Sequence, residues 1–342
     1  MRVEEQKRMT EKNKIAIVNS SSFGKMFDAH LARVGKLGPV DRFDFDGEIP
    51  GKELAEALQG YNIIIASVTP FFTREFFEHK DELKLIARHG IGFNNVDLEA
   101  AKEHGTVVTI VPALIERDAV AENNVTNLLA LMRRTIESAA EVKKDCWENR
   151  AKFIGNGLCG KTVGVIGVGN IGSRVVEILH YGFRCEVLGV DPNKTALEID
   201  IFGGKKVELD ELLERAEVIC LCASLNDTNY HLISKETIAK MKDGIYISNS
   251  ARGALVEESD IIEAIESGKL RGYATDVLEV EPGRSDHPFL DFANIIVTPH
   301  TSAYTMECLE GMGDKCVSDC EAIVEGRMPQ RAVQPISPYI TK

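Results

Sequence analysis

Val163-Gly164-Val165-Ile166-Gly167-Val168-Gly169-Asn170-Ile171-Gly172 is the stretch on which the reading of this chain turns. A β-branched apolar run meets G-x-G-x-x-G, and the amphipathic stretch Asn170–His180 follows. Strand, glycine turn and helix in that order form a phosphate-binding unit. Gly167 permits the tight turn, Gly169 lets backbone approach a pyrophosphate, and Gly172 lets helix and strand pack closely. Asn170 and Ile171 open the helix, whose unpaired N–H groups and partial positive charge favour phosphate. Asp191 lies 19 residues beyond Gly172, after the run Val187–Val190. A carboxylate there binds ribose hydroxyls and repels a 2′-phosphate, which favours NAD(H) over NADP(H). A purely structural glycine turn, or a methyltransferase site for an adenosyl ligand, would share the pattern.

Around this unit, short apolar runs alternate with amphipathic stretches, as in parallel α/β architecture. Before it, Ile15–Asn19, Ile63–Ser67, Leu83–Ala87 and Val107–Ile110 read as strands. Helices are expected near Phe27–Leu37, Gly51–Gln59, Arg74–His79 and Leu98–His104. From the glycine unit onward, Thr162–Gly167, Glu186–Val190, Val218–Leu221, Gly244–Asn249, Gly272–Val277 and Ile295–Thr298 give six strand-like runs, as a doubly wound sheet requires. Asp118–Trp147 reads as one long helix, and Met306–Glu325 as the last. The polar residues 1–13 read as a frayed extension. The expectation is a discontinuous first domain (14–117 and 308–342) and a cofactor domain (118–307).

The length of 342 residues accords with about two domains at ~150 residues each. No uncharged apolar run reaches the ~18 residues that a membrane span needs. The first residues carry charge where a signal peptide needs an apolar core, so a cytoplasmic protein is expected. A net charge of −13 disfavours nucleic acid and anionic lipid as partners. Eight cysteines are too sparse for a disulfide framework. Cys316 and Cys320 share a helical face, but buried small hydrophobes are the simpler reading, and no metal is expected.

Open α/β sheets bind ligands beyond the carboxyl ends of their strands. Arg252 follows Ile245–Asn249, Asp276 and Glu281 follow Gly272 onward, and His300 ends the run from Ile295. These residue types suit hydride transfer between NAD and a 2-hydroxy acid. Arg252 offers a bidentate fork to a carboxylate. His300 supplies an imidazole, the side chain most used to exchange a hydroxyl proton. Glu281 would hold the far ring nitrogen and favour the protonated ring. Asp276 could accept from a nicotinamide carboxamide. Taken singly, Arg252 could be a surface salt-bridge residue, His300 a turn residue and Glu281 a solvated acid.

The chain resembles the D-isomer-specific 2-hydroxy-acid dehydrogenase family from about Ile15 to Arg327. The resemblance rests on Arg88-His-Gly-Ile-Gly92-Phe-Asn-Asn-Val-Asp97, Ala119-Val-Ala-Glu122, Gly167–Gly172, Asn249-Ser-Ala-Arg252-Gly, Asp276-Val-Leu-Glu-Val-Glu281-Pro and Thr298-Pro-His300. It implies a flavodoxin-like substrate domain interrupted by a Rossmann cofactor domain, hinge closure, and a homodimer. It places Arg252, Glu281 and His300 at catalytic positions and Asp276 at the carboxamide. Ala251 falls among the cofactor contacts. The backbone N–H groups of Ile91 and Gly92 fall to the carboxylate of a 2-hydroxy or 2-oxo acid. The family's co-repressor branch keeps the same residues, so a dinucleotide-sensing interaction protein is the alternative.

Departures from the family pattern are local. Leu221-Cys222-Ala223-Ser224 stands where many members carry His-Val-Pro or His-Cys-Pro, and Asn123 where His often follows Ala-Val-Ala-Glu. Ala66–Phe71 lacks the Arg of phosphoglycerate dehydrogenases, which argues against a phosphorylated substrate. Glu281 stands where formate dehydrogenases have Gln. Phe71, Phe72 and Phe93 either line an apolar side pocket or pack the first domain, with packing the usual fate of Phe. His89 reads as an exposed histidine.

Overall fold

The computed structural model describes residues 13–333. The charged N-terminal segment read as an extension, and the end of the chain after Val333, lie outside the described residues. The chain forms two compact units: residues up to Glu116 together with those from Thr305, and Arg117–Tyr304.

In the first unit, β1 (Ile15–Val18), β2 (Val40–Phe43), β3 (Ile63–Ala66), β4 (Leu85–Arg88) and β5 (Val107–Thr109) form a parallel sheet in the order β2-β1-β3-β4-β5. This is the flavodoxin-like order. Alternate residues feed opposite faces: Ile15, Ile17, Ile63 and Ile65 pack with Val34, Cys316, Val317 and Cys320. Ala16, Val18, Ile64 and Ala66 pack with Leu54, Phe76 and Ala100 on the other side. Helices thus cover both faces, which is why these strands are apolar without alternation. Helix Met306–Val324 belongs to this unit, and Cys316 and Cys320 are core residues there. Burial drives the Cys316 and Cys320 thiols well above their ordinary range. Among the described residues, no group of three or more metal-type ligands gathers.

The second unit holds β6 (Thr162–Ile166), β7 (Glu186–Val190), β8 (Gly204–Lys206), β9 (Val218–Leu221), β10 (Ile245–Asn249), β11 (Leu270–Thr275) and β12 (Ile295–Val297). They make one parallel sheet in the order β12-β11-β10-β9-β6-β7-β8. The direction of winding reverses between β6 and β9, the switch point of a Rossmann sheet. Seven strands stand where six were expected. The extra one, β8, is a three-residue edge strand (Gly-Lys-Lys) whose sequence carries no apolar signal.

The expectation of one helix over Asp118–Trp147 is corrected. Helix Ala113–Met132 ends before Arg134, which takes a left-handed conformation (φ 53°). A separate helix, Thr135–Val142, and a 3₁₀ segment, Trp147–Phe153, follow. The cause is tertiary: the Met132 carbonyl accepts from the Asn156 N–H at 2.9 Å, where a continuing helix would have used it. His89, expected to be exposed, is 7% exposed and lies edge-on to Phe23. Burial first, then the positive charges of Arg88 and His30, lower its pKa to about 3. Phe72 is core and packs on Phe76, Phe93 joins the same cluster from a half-buried position, and Phe71 remains exposed.

Candidate active site

All seven strands of the second unit run parallel, so their carboxyl ends share one edge. The glycine turn leaves β6 there. Gly167 has φ 87°, and a Cβ on it would lie 2.4 Å from the Ala223 Cα. A Cβ on Gly172 would lie 1.9 Å from the Gly167 carbonyl oxygen. A Cβ on Gly169 would meet nothing within 4 Å, so the space over that residue is open. Helix Asn170–Glu177 starts beside it with no side-chain cap. Asp191, after β7, accepts from the Val168 N–H and the Asn193 N–H, both at 2.9 Å. It therefore braces the turn while keeping further lone pairs for ribose hydroxyls. Lys194 is paired with Glu198 at 3.1 Å and offers Asp191 no cation. This open cradle, with a carboxylate beside it, fits an adenine dinucleotide lacking a 2′-phosphate.

Arg252 follows β10 in a turn built on Asn249. The Ala251 N–H donates to Asn249 Oδ1 at 3.0 Å, and Asn249 Nδ2 donates to the Arg252 carbonyl at 2.9 Å. One Arg252 nitrogen donates to the Ala251 carbonyl at 2.6 Å. Gly253 fixes where this turn sits. A Cβ there would lie 2.0 Å from the Leu278 carbonyl carbon and 2.2 Å from the Glu279 nitrogen. The Arg252 turn is thus pressed directly against the loop that carries Glu281.

His300 Nδ1 lies 2.7 Å from Glu281 Oε2. Burial pushes the Glu281 carboxyl up. The hydrogen bond and charge of His300, the Leu278 N–H at 3.1 Å and the charge of Arg252 outweigh that, and the net pKa is lowered. Glu281 is accordingly a carboxylate at neutral pH, committed to one ring nitrogen, and Nε2 is the ring atom it leaves over. His300 has φ 53°, and its N–H donates to the Asp276 carbonyl at 2.9 Å.

Asp276 is 1% exposed, and its carboxylate is turned into the 298–302 segment. It accepts from Thr298 Oγ1 at 2.5 Å, the Thr301 N–H at 2.9 Å, the Ser302 N–H at 2.7 Å and Ser302 Oγ at 2.5 Å. Ser302 Oγ also lies 3.0 Å from Asn123 Oδ1, so Asn123 belongs to the support of this turn. Thr298, Ser302 and Gly253 escape a sequence search for reactive groups because they do their work by position. An x-Gly immediately after a candidate arginine was the one local hint.

In the first unit, Arg88 is 2% exposed and reaches back under its own loop. It donates to the Gly92 carbonyl at 3.0 Å, the Ala66 carbonyl at 2.6 Å and the Ser67 carbonyl. Asn95 Nδ2 donates to the Pro70 carbonyl at 2.9 Å. Ile91 and Gly92 are held in that braced loop. The Ile91 N–H donates to Glu116 Oε1 at 3.0 Å, a contact no sequence motif announces.

A Rossmann sheet with an open glycine cradle and an acid after its second strand defines a dinucleotide-binding protein. A family model described as D-isomer specific 2-hydroxyacid dehydrogenase, NAD binding domain, matches residues 125–302. A D-3-phosphoglycerate dehydrogenase of Methanocaldococcus jannaschii is 35% identical over 82% of this chain and 53% of its own length. The chain thus spans about half the length of that relative. A glyoxylate reductase of Thermofilum pendens is 31% identical over 82% of this chain and 84% of its own. Among solved structures, the apo D-lactate dehydrogenase of Escherichia coli superposes with a TM-score of 0.81 at 29% identity, covering 93% of this chain and 99% of that one. The chain belongs to the D-isomer-specific 2-hydroxyacid dehydrogenase family and carries its NAD-binding domain. Among the described residues, no helix is long and apolar enough to cross a membrane.

Proposed function

We propose that this protein interconverts a D-2-hydroxy acid and the corresponding 2-oxo acid, with His300 as acid–base catalyst. The observation that carries the reading is the 2.7 Å Glu281–His300 pair, set on the sheet edge that also bears the glycine cradle. NAD(H), when bound, takes up or supplies the hydride. Glu281 holds the proton of Nδ1, and Nε2 accepts the hydroxyl proton in oxidation or returns it in reduction. Arg252 binds the substrate carboxylate through its guanidinium fork. In the first unit, the N–H groups of Ile91 and Gly92 are the donors the family resemblance gives to a substrate carboxylate. Asp276 serves first as the anchor of the His300 turn; a carboxamide N–H would share it with the donors already there. Asp191 selects the unphosphorylated ribose.

The glyoxylate reductase and D-lactate dehydrogenase among the similar proteins make glyoxylate and pyruvate, the 2-oxo acid matching lactate, the first to try. The missing arginine in Ala66–Phe71 favours unphosphorylated acids. Eight free cysteines fit the reducing cytoplasm. Exposed Ile136, Val142, Trp147 and Ile154, all between residues 135 and 154, supply apolar surface for a homodimer. The test is NADH oxidation with a panel of 2-oxo acids graded by bulk and charge. Turnover with any of them supports the reading. NADH binding with no turnover across the panel refutes it and leaves a dinucleotide sensor.

A further inference from the structure

We propose that Glu116 is a built-in competitor for the substrate carboxylate, occupying the Ile91 N–H until the substrate displaces it. The inference deepens the proposed function and rests on its assignment of Ile91 to the carboxylate. Glu116 stands in the first turn of helix Ala113–Met132 and is 8% exposed. Its Oε1 accepts from the Ile91 N–H at 3.0 Å. The loop it binds is rigidly presented: Arg88 takes the Gly92 carbonyl from below, and the Val111 N–H donates to the Gly90 carbonyl at 3.2 Å. The Gly90 and Gly92 carbonyls are therefore committed, and the Ile91 amide between them is held by a side-chain acceptor. The acceptor it has found is a carboxylate, the group a 2-oxo acid would bring.

An N–H bond to an ionised acceptor is stronger than one to a neutral acceptor, so the contact competes effectively. Two carboxylates cannot share that donor without strong repulsion. Substrate binding then requires Glu116 to swing away, and apparent affinity is reduced by the fraction of molecules in which it has done so. The one heavy atom within 4 Å of a Cβ built on Gly90 is Glu116 Oε1, at 4.0 Å, so the carboxylate lies against this glycine as well as on the Ile91 amide. A purely structural Glu116 makes the opposite prediction, because removing it would loosen the loop and weaken substrate binding.

The test compares Glu116→Ala and Glu116→Gln with the parent enzyme in two assays. One is calorimetric titration of the NADH-loaded protein with oxalate, which needs no turnover; the other is steady-state KM for 2-oxo acids. Oxalate affinity should rise at least ~10-fold in the Ala variant, the scale of one charge-assisted hydrogen bond. The Gln variant, with a neutral acceptor, should lie between, and the gain should appear in KM. Oxalate affinity equal to or weaker than that of the parent in both variants overturns the proposal. Should the Ala variant fail to fold, the Gln variant decides: tighter oxalate binding upholds the competitor, and unchanged or weaker binding overturns it. Tighter oxalate binding with no 2-oxo acid reduced by any variant would uphold the competitor while refuting the dehydrogenase reading.

Discussion

Gly253→Ala tests whether close packing of two loops sets the active geometry. The added Cβ would start 2.0 Å from the Leu278 carbonyl carbon and 2.2 Å from the Glu279 nitrogen. Both are backbone atoms, so no side chain can rotate out of the way. To reach ordinary contact the Arg252 turn and the Glu281 loop must part by about 1.5–2 Å. Overpacking of this kind costs about 1–3 kcal/mol, which lowers Tm without unfolding the unit. The catalytic cost is larger in kind, because a misplacement of ~1 Å can cost ~10²-fold in rate. The variant should therefore lose about that factor in kcat/KM for 2-oxo acids, a larger loss than in NADH affinity, since the glycine cradle lies on a different turn and only Ala251 of the shifted turn is expected among the cofactor contacts. Fluorescence titration with NADH and stopped-flow oxidation read the two effects separately. Wild-type kcat/KM in a folded Gly253→Ala protein would refute the argument that this contact positions Arg252 against Glu281.

Other substitutions probe the remaining assignments. His300→Gln should lower turnover by at least ~10²-fold with NADH still bound, and near-normal turnover would dismiss His300 as the acid–base group. Asp191→Ala should reduce the kcat/KM preference for NADH over NADPH by ~10-fold or more; a parent enzyme that already prefers NADPH contradicts the role given to Asp191. His89 stays neutral in the fold down to about 3, whereas the unfolded chain takes up a proton below 6.5. The unfolded state thus binds more protons between those values, and stability falls as pH drops through that window, by up to ~2 kcal/mol at about pH 5. His89→Leu should lose less Tm than the parent between about pH 8 and about pH 5; equal losses would show that His89 does not contribute to acid sensitivity.

What the sequence disclosed and what it withheld divide along physical lines. Ile-Ala-Ile-Val at 15–18 and Ile-Ile-Ile-Ala at 63–66 are buried on both faces, and their composition says so. Val-Asp-Arg-Phe at 40–43 and Gly-Lys-Lys at 204–206 pair at sheet edges, where half of the backbone meets solvent and no apolar run is needed. The break at Arg134 depends on Asn156, more than twenty residues downstream, and no local rule anticipates it. Arg252, Glu281 and His300 stand out in the sequence because reactive side chains just past strand ends contrast with structural residues, and the structure sets Glu281 against His300. Glu116, Gly253 and Ser302 were not, because their part depends on which backbone atom lies beside them. His89 reads as exposed from its residue type alone, and only the packing of Phe23 over it shows otherwise.

The left-handed backbone at residue 300 is fastened by main-chain atoms and by the buried Asp276, so the imidazole hangs from a mount that does not depend on the imidazole itself. Replacing that ring leaves the fixture standing, with the Glu281 carboxylate lining one side of an otherwise intact socket. A position of this kind can lose its reactive group while the scaffold around it stays in place, which makes residue 300 a point where chemistry can be removed and folding left alone.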